Sequence, residues 1–286
     1  MTSTHSLANG TASDGPGPAV TVRPLPAVPG GWELAVRAFR CWLVMYRRTW
    51  RSSVWSSVLG PLFYLGAMGY GHGSLVDRNG TAALGGVPYV VFVAPAVLAT
   101  QSMTTGMNNA AFPVFGAIHW NRIYIAARAT MLRPADIYRG HLLFIALRIA
   151  MNSACFVVIM AAFGLIKSVW AVALLPAAVL LGIAFATPVA AWSVTLKTMT
   201  PMNYLFRFGS VPMFLFSGTF YPLSVYPHVI ADVVEWSPLY QGVVILRDLV
   251  LGAPSGDLLW RAAYLIALGV AGLALAGRRI ARLLLV

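Results

Sequence analysis

Charge is scarce in this chain. Asp, Glu, Lys and Arg make up 10% of its 286 residues, while 59% are hydrophobic, against about 25% charged in a soluble domain. With a mean hydropathy of +0.75, the composition is that of a membrane protein. Lysine is nearly missing: Lys167 and Lys197 are the only two, and neither follows a glycine. No GxxxxGK[ST] loop is present to cradle nucleotide phosphates, so any ATP-driven work must enter through another polypeptide. Acids are missing where an ion-coupled carrier needs them. None of the eight falls inside a predicted span, and such carriers usually need an intramembrane acid or a comparable ion site. The only acid in the cytoplasmic loops between spans is Asp136, so no carboxylate pair is available there to hold Mg²⁺. HExxH and GxSxG are absent as well, which removes the usual signatures of a membrane enzyme. The two cysteines, Cys41 and Cys155, form no CxxC pair and indicate neither a disulfide framework nor a metal site.

What is present is arginine, placed at the ends of apolar runs. The net charge is +12, but the cations are not gathered on one soluble face as nucleic-acid binding requires. With both termini inside, fourteen Lys and Arg lie on the cytoplasmic side and four (Arg78, Lys167, Arg247 and Arg261) outside, a strong positive-inside bias. Six spans are predicted, at about 53–73, 88–111, 141–166, 169–196, 204–220 and 258–277. Residues 1–30, rich in Gly, Pro, Ser, Thr and Ala, read as a disordered cytoplasmic tail. Residues 32–51 place Trp32, Val36, Phe39, Leu43, Tyr46 and Trp50 on one stripe and Glu33, Arg37, Arg40, Arg47 and Arg51 on another. That pattern predicts an interfacial amphipathic helix lying along the cytoplasmic surface. Segment 221–252 is apolar but broken by Pro222, Pro227 and Pro238. Neither half reaches the ~20 residues of a spanning helix, so it reads as two short re-entrant helices on the outer side. The fold class is therefore all-α: six transmembrane helices, an N-terminal interfacial helix, and external re-entrant helices between spans five and six.

The connection 112–140 carries "RATMLRPADIYRG" at its end. Trp120, Ile123, Tyr124, Ala127 and Met131 share a helical stripe. Arg122 and Arg128 project elsewhere, and Arg133-Pro134 breaks the helix because proline disfavours helical geometry in the preceding residue. Asp136 sits at the start of the next helix, where the dipole favours a negative charge. A short surface helix joined to a span makes a lever.

These features resemble the permeases of ABC-2-type exporters, closest to the nodulation-factor (lipo-oligosaccharide) and drug-resistance export permeases. The resemblance is carried by "VPYVVFVAPAVLATQSM" in the second span, Trp120 followed by "RPADIYRGH", "LLGIAFATPVAAWSVTL" in the fourth span, and the long stretch 208–252. In that stretch Phe216, Ser217, Gly218, Phe220, Tyr221 and Pro222 match the signature that closes the fifth span. Pro238, Leu239, Tyr240, Val243 and Arg247 match its continuation. The resemblance covers nearly the whole chain from about residue 32, which makes 31–286 one ABC-2-type transmembrane domain. It implies a bacterial inner-membrane exporter built from two permease subunits, as a homodimer, with two copies of a separate ATPase that binds ATP and Mg; this chain then needs no cofactor of its own. The 112–140 connection becomes the coupling loop, with Trp120, Arg122, Arg128, Arg133, Pro134 and Asp136 as its contact residues. Phe216, Ser217, Gly218, Phe220, Tyr221, Pro222 and Pro238 become the external gate. Arg148, Phe206 and Phe214 are candidates for the substrate path. For Arg148 three readings stand open: it meets an anionic headgroup at the dimer interface or in a hydrated conduit, it snorkels to the cytoplasm, or it pairs with helix-end carbonyls. Outside this class, the competing reading is an ion-coupled carrier that works without an ATPase.

Overall fold

The computed structural model describes residues 31–67, 71, 73, 86–128, 132–253 and 255–285. The expected tail 1–30, the end of the first span and its outer loop, and Met131 lie outside the described residues. Those that are described form helices and no strand: α1 (Gly31–Tyr46), α2 (Trp50–Gly66), α3 (Tyr89–His119), α4 (Ile123–Arg128) and α5 (Pro134–Ala162). A 3-10 turn (Val169–Ala173) leads into α6 (Leu174–Ser193), and α7 (Thr200–Tyr204) passes through a π turn (Leu205–Ser210) into α8 (Val211–Phe216). Then come α9 (His228–Glu235), α10 (Pro238–Leu251) and α11 (Leu258–Leu285).

Four of these units are long and apolar enough to cross a membrane: α3, α5, Val169–Ser193 and α11. The pair α9 and α10, bent by 79°, would make a fifth if counted as one span. α2 overlaps the expected first span from 53 to 66, and the end of that span lies largely outside the described residues. The expected fifth span is α7, π turn and α8 in series. Proline begins several elements, at the first turns of α5, α7 and α10, where its missing N–H would have had no helical partner anyway; Pro212 instead sits at the junction of the π turn and α8, where it removes a donor from a continuing helix.

α3 is the central post, packed by α5, α6 and α10. A Cβ on Gly106 would overlap the carbonyl oxygen of Gly182, and one on Gly182 would lie 2.9 Å from the Ser102 carbonyl oxygen, so the α3 and α6 backbones touch. Ser193 Oγ donates across the same seam to the Ala111 carbonyl (2.9 Å). On its other side α6 meets α11, where Thr187 Oγ1 donates to the Gly269 carbonyl (3.0 Å) and a Cβ on Gly272 would lie 2.6 Å from Pro188 N. Small residues at helix crossings are what a bilayer protein needs, because close packing replaces the missing hydrophobic drive between helices.

Two expectations change. The helix holding the second span runs on to His119, and α5 starts at Pro134. The connection is therefore 120–133 rather than 112–140, since the ends of both helices stay helical past the point where the chain stops being apolar. The helix expected over 32–51 ends at Tyr46, with Trp50 opening α2, and α1 packs on the bundle through Leu34, Ala35, Ala38 and Trp42, which lie off the expected stripe, while Trp32 stays exposed. The reason is steric. A Cβ on Gly140 of α5 would sit 2.6 Å from Ala38 Cβ and 2.7 Å from the Ala35 carbonyl oxygen, so the alanines take the contact. Trp42 then stacks on His141 (3.9 Å), Tyr46 meets Phe144 edge-on (5.8 Å) and Arg148 sits over the Tyr46 ring (4.6 Å). These contacts lay α1 lengthwise along α5 for about three turns.

Candidate functional site

Three places on this frame carry chemistry. At the first, the 120–133 corner, Trp120 caps α3 and is 62% exposed, its ring edge-on to Phe115 (5.8 Å). Arg122 follows with φ of +48°, a left-handed conformation uncommon for a side chain other than Gly, Asn or Asp; it reverses the chain sharply into α4. From α4, Tyr124 is fully buried while Ile125 stays exposed. Tyr124 Oη and His141 Nδ1 share a buried hydrogen bond of 2.6 Å, with Trp42 covering the other face of the imidazole. Burial pushes the Tyr124 hydroxyl well above its ordinary range, so it stays a neutral phenol. Arg133 is exposed and extended (φ −78°, ψ 151°) just before Pro134. Arg128 ends α4, and its side chain lies outside the described residues. Asp136 is 2% exposed, 3.8 Å from Arg139 Nη1. It is not on the surface, unlike Trp120, Arg122 and Arg133, and its Oδ2 is buried without a hydrogen-bond partner among the described residues.

The second place is the open side of α3. Between Leu98 and Ala111 the residues left unburied are Thr100, Gln101, Thr104, Asn108 and Asn109, all of them polar. Their side chains bond back along the helix: Thr104 to the Thr100 carbonyl (2.9 Å), Asn108 to Thr104 (2.8 Å) and Asn109 to Thr105 (2.8 Å). Such back-bonding satisfies the donors without another helix. At its lower end the stripe meets the fifth span around a cavity of about 400 Å³ lined by Asn108, Phe112, Asn203, Phe206 and Arg207. Phe206 stacks on Phe112 (5.6 Å, 9° between planes). Of the expected path residues, Phe206 is therefore here. Phe214 lies further up, edge-on to Phe220 (5.1 Å), and Arg148 is on α5 in a separate cleft. The polar stripe was missed in the sequence, although the run "TQSMTTGMNN" (100–109) places Thr100, Thr104 and Asn108 at helical spacing.

The third place is the outer end. Gly218 adopts φ of +68°, and a Cβ there would press on the Tyr240 ring at 3.2 Å; glycine is required on both counts. Its carbonyl accepts a hydrogen bond from Arg247 Nη2 (3.0 Å), whose guanidinium lies over the Phe92 ring at 3.7 Å. Ser217 Oγ is 3.3 Å from Ser237 Oγ, next to Pro238, the first residue of α10. Ser217, Gly218 and Pro238 thus converge, whereas Phe216 and Tyr221 face outward and Pro222 only caps a 3-10 turn. Phe220 joins Phe214. Arg247, counted in the sequence among the outer charges, is the centre of this cluster. α10 packs inside the bundle, with Gly242 against Leu181 and Gly252 against Ser168, so it ends level with the start of the α6 unit.

A helical membrane bundle with an exposed corner at one end, a polar open face and an internally braced opposite end is the frame of a transport permease. The ABC-2 type transporter family model matches residues 33–251, and the chain belongs to that family. It is a multi-pass membrane protein, and the family implies an ABC ATPase as partner, with ATPase activity in that separate subunit. Among its relatives, Nodulation protein J of Rhizobium leguminosarum bv. trifolii is 29% identical over 227 residues, covering 76% of this chain and 83% of the relative. Nodulation protein J of Rhizobium meliloti (strain 1021) is 28% identical over 238 residues (78% and 87%). That of Sinorhizobium fredii (strain NBRC 101917 / NGR234) is 26% identical over 226 residues (75% and 83%).

Proposed function

We propose that this chain is the membrane half of an ATP-driven exporter of the bacterial inner membrane, with both termini cytoplasmic. Two copies form the conduit and two separate ATPase subunits, carrying ATP and Mg, drive it. The substrate class is an amphipathic glycolipid, lipid-linked saccharide or drug-like molecule. The observation that carries the reading is the 120–133 corner. Exposed Trp120, Arg122, Ile125 and Arg133 form an apolar and cationic knob, and the same corner is plugged into the bundle by fully buried Tyr124. A partner gripping the knob therefore pulls on α5 and α1 through the Tyr124–His141 bond and on α3 through Trp120. The polar face of α3, with Asn203, Phe206 and Arg207, lines the path for a polar headgroup. α9 and α10 form the outer re-entrant cap, braced by Arg247, and with the first and fifth spans the count of crossings is six.

The test is reconstitution. The full chain with its ATPase should move a fluorescent glycolipid in liposomes only with ATP. Trp120→Ala combined with Arg122→Glu should abolish transport and release the ATPase in copurification. Solute movement by this chain alone, driven by an ion gradient, would sink the reading in favour of a secondary carrier.

A further inference from the structure

Arg148 lies 14 residues into α5, in a cleft of about 270 Å³ whose walls are Trp42, Tyr46, Pro113 and Phe144, with Asn109 among its few polar groups. Its guanidinium rests on the Tyr46 ring. No carboxylate among the described residues pairs with it, and its Nε is buried without a hydrogen-bond partner. A charged donor left so is unfavourable in a low-dielectric site. Stacking uses the face of the guanidinium and leaves its in-plane N–H groups to an oxyanion, which the planar fork suits in bidentate fashion.

The depth of the cleft follows from α1. Laid along α5, α1 reaches Arg148 with Tyr46, and the next residues are Arg47 and Arg48, both exposed. Three arginines at one level, beside exposed Val44 and Met45, mark the cytoplasmic headgroup layer, where cations meet lipid phosphates and aromatic rings gather.

We propose that the Arg148 cleft binds the phosphodiester of a cytoplasmic-leaflet phospholipid. The group is delivered by its acyl chains to an aromatic-walled site that a strongly hydrated free phosphate would enter poorly. The lipid neutralises the one charge of α5 that no carboxylate among the described residues pairs. It also wedges α1 against α3 and α5, the two helices that flank the 120–133 corner. The site rests on the orientation proposed above, with both termini cytoplasmic, and not on export, so a failure of either is distinguishable.

The test uses the full chain purified in detergent and delipidated, with phosphatidylglycerol, diacylglycerol and inorganic phosphate as probes and lipid adducts read by native mass spectrometry. One phosphatidylglycerol per chain should persist, diacylglycerol should not replace it, and millimolar phosphate should not displace it. Arg148→Gln should weaken phosphatidylglycerol binding by about tenfold or more. Met45→Glu, which sets a carboxylate at the lip and leaves Arg148 in place, should weaken it similarly and keeps the test alive if the first variant fails to fold. Arg47→Gln, outside the cleft, should leave it within about twofold. Equal retention of phosphatidylglycerol by wild type and both cleft variants overturns the proposal. Displacement by inorganic phosphate overturns the lipid assignment in favour of a free-anion site.

Discussion

Where α3 crosses α6 the backbones are in contact through Gly106 and Gly182, and Ser193 and Ser102 bond across or beside the seam. The fifth span is a contrast. From Thr200 to Phe216 it changes from α to π to α geometry within 17 residues, and Tyr204, Phe208, Val211, Leu215 and Phe216 are all exposed. Both regions are apolar, but one is held by contacts that admit no added atom and the other presents large side chains to whatever lies beside the chain. A π turn in a membrane helix shifts the register of its face and is frequent at functional sites. The seam is therefore the part that must not move, and the fifth span the part free to meet a second copy, lipid or cargo.

Substitutions can break or sharpen that contrast. Gly106→Val should have the largest effect, because the added atoms fall on the Gly182 backbone rather than on a side chain that could turn away. Overpacking of this kind exceeds the ~1–3 kcal/mol typical of cores, and the protein should be lost as a monodisperse species in size-exclusion chromatography. Arg247→Ala should come next. It removes a charged hydrogen bond to the Gly218 carbonyl and the stack on Phe92, about 1.5–3 kcal/mol for the bond alone, seen as a lower thermal midpoint in detergent. Arg247→Lys should restore only part, since the ammonium cannot both stack flat on Phe92 and reach Gly218. Tyr124→Phe keeps the shape and deletes the bond to His141, a loss of about 1 kcal/mol. Its larger effect should be on coupling, with ATP hydrolysed but less transport per ATP. Phe208→Ala in the fifth span should change stability least, within about 0.5 kcal/mol. A loss of stability as large as that of Arg247→Ala would show that the fifth span is packed as firmly as the seam.

The 120–133 corner shows what hydropathy can and cannot see. Hydropathy falls near residue 111, and the expected span ended there, yet α3 continues to His119. The apolar pattern reports depth in a bilayer, while helix length also depends on the partners beyond it, here Tyr124, His141 and Trp42. Trp120, Arg122 and Arg133 were named as contact residues by the family resemblance, and they are exposed. Asp136 was named in the same way and is buried, because whether the first turn of α5 faces solvent or α1 is decided by Gly140 accepting Ala35 and Ala38. At the far end of the bundle Gly218 and Pro222 stood out by residue type. Arg247 was noted only as a charge and as part of the motif's continuation; its bracing role was not, since its partners are a carbonyl 29 residues earlier and the ring of Phe92.

Composition and the order of apolar runs were enough to determine a helical membrane protein without a nucleotide loop, with a broken segment before its last long helix. Those properties are local: each depends on what a stretch of about 20 residues does in lipid. The tertiary structure alone decided which face of α3 stays open, that α1 runs beside α5, and that Arg148 meets no carboxylate among the described residues while Arg247 is braced. Each of these depends on which small residues allow two backbones to approach, a property of pairs of helices that no single stretch contains.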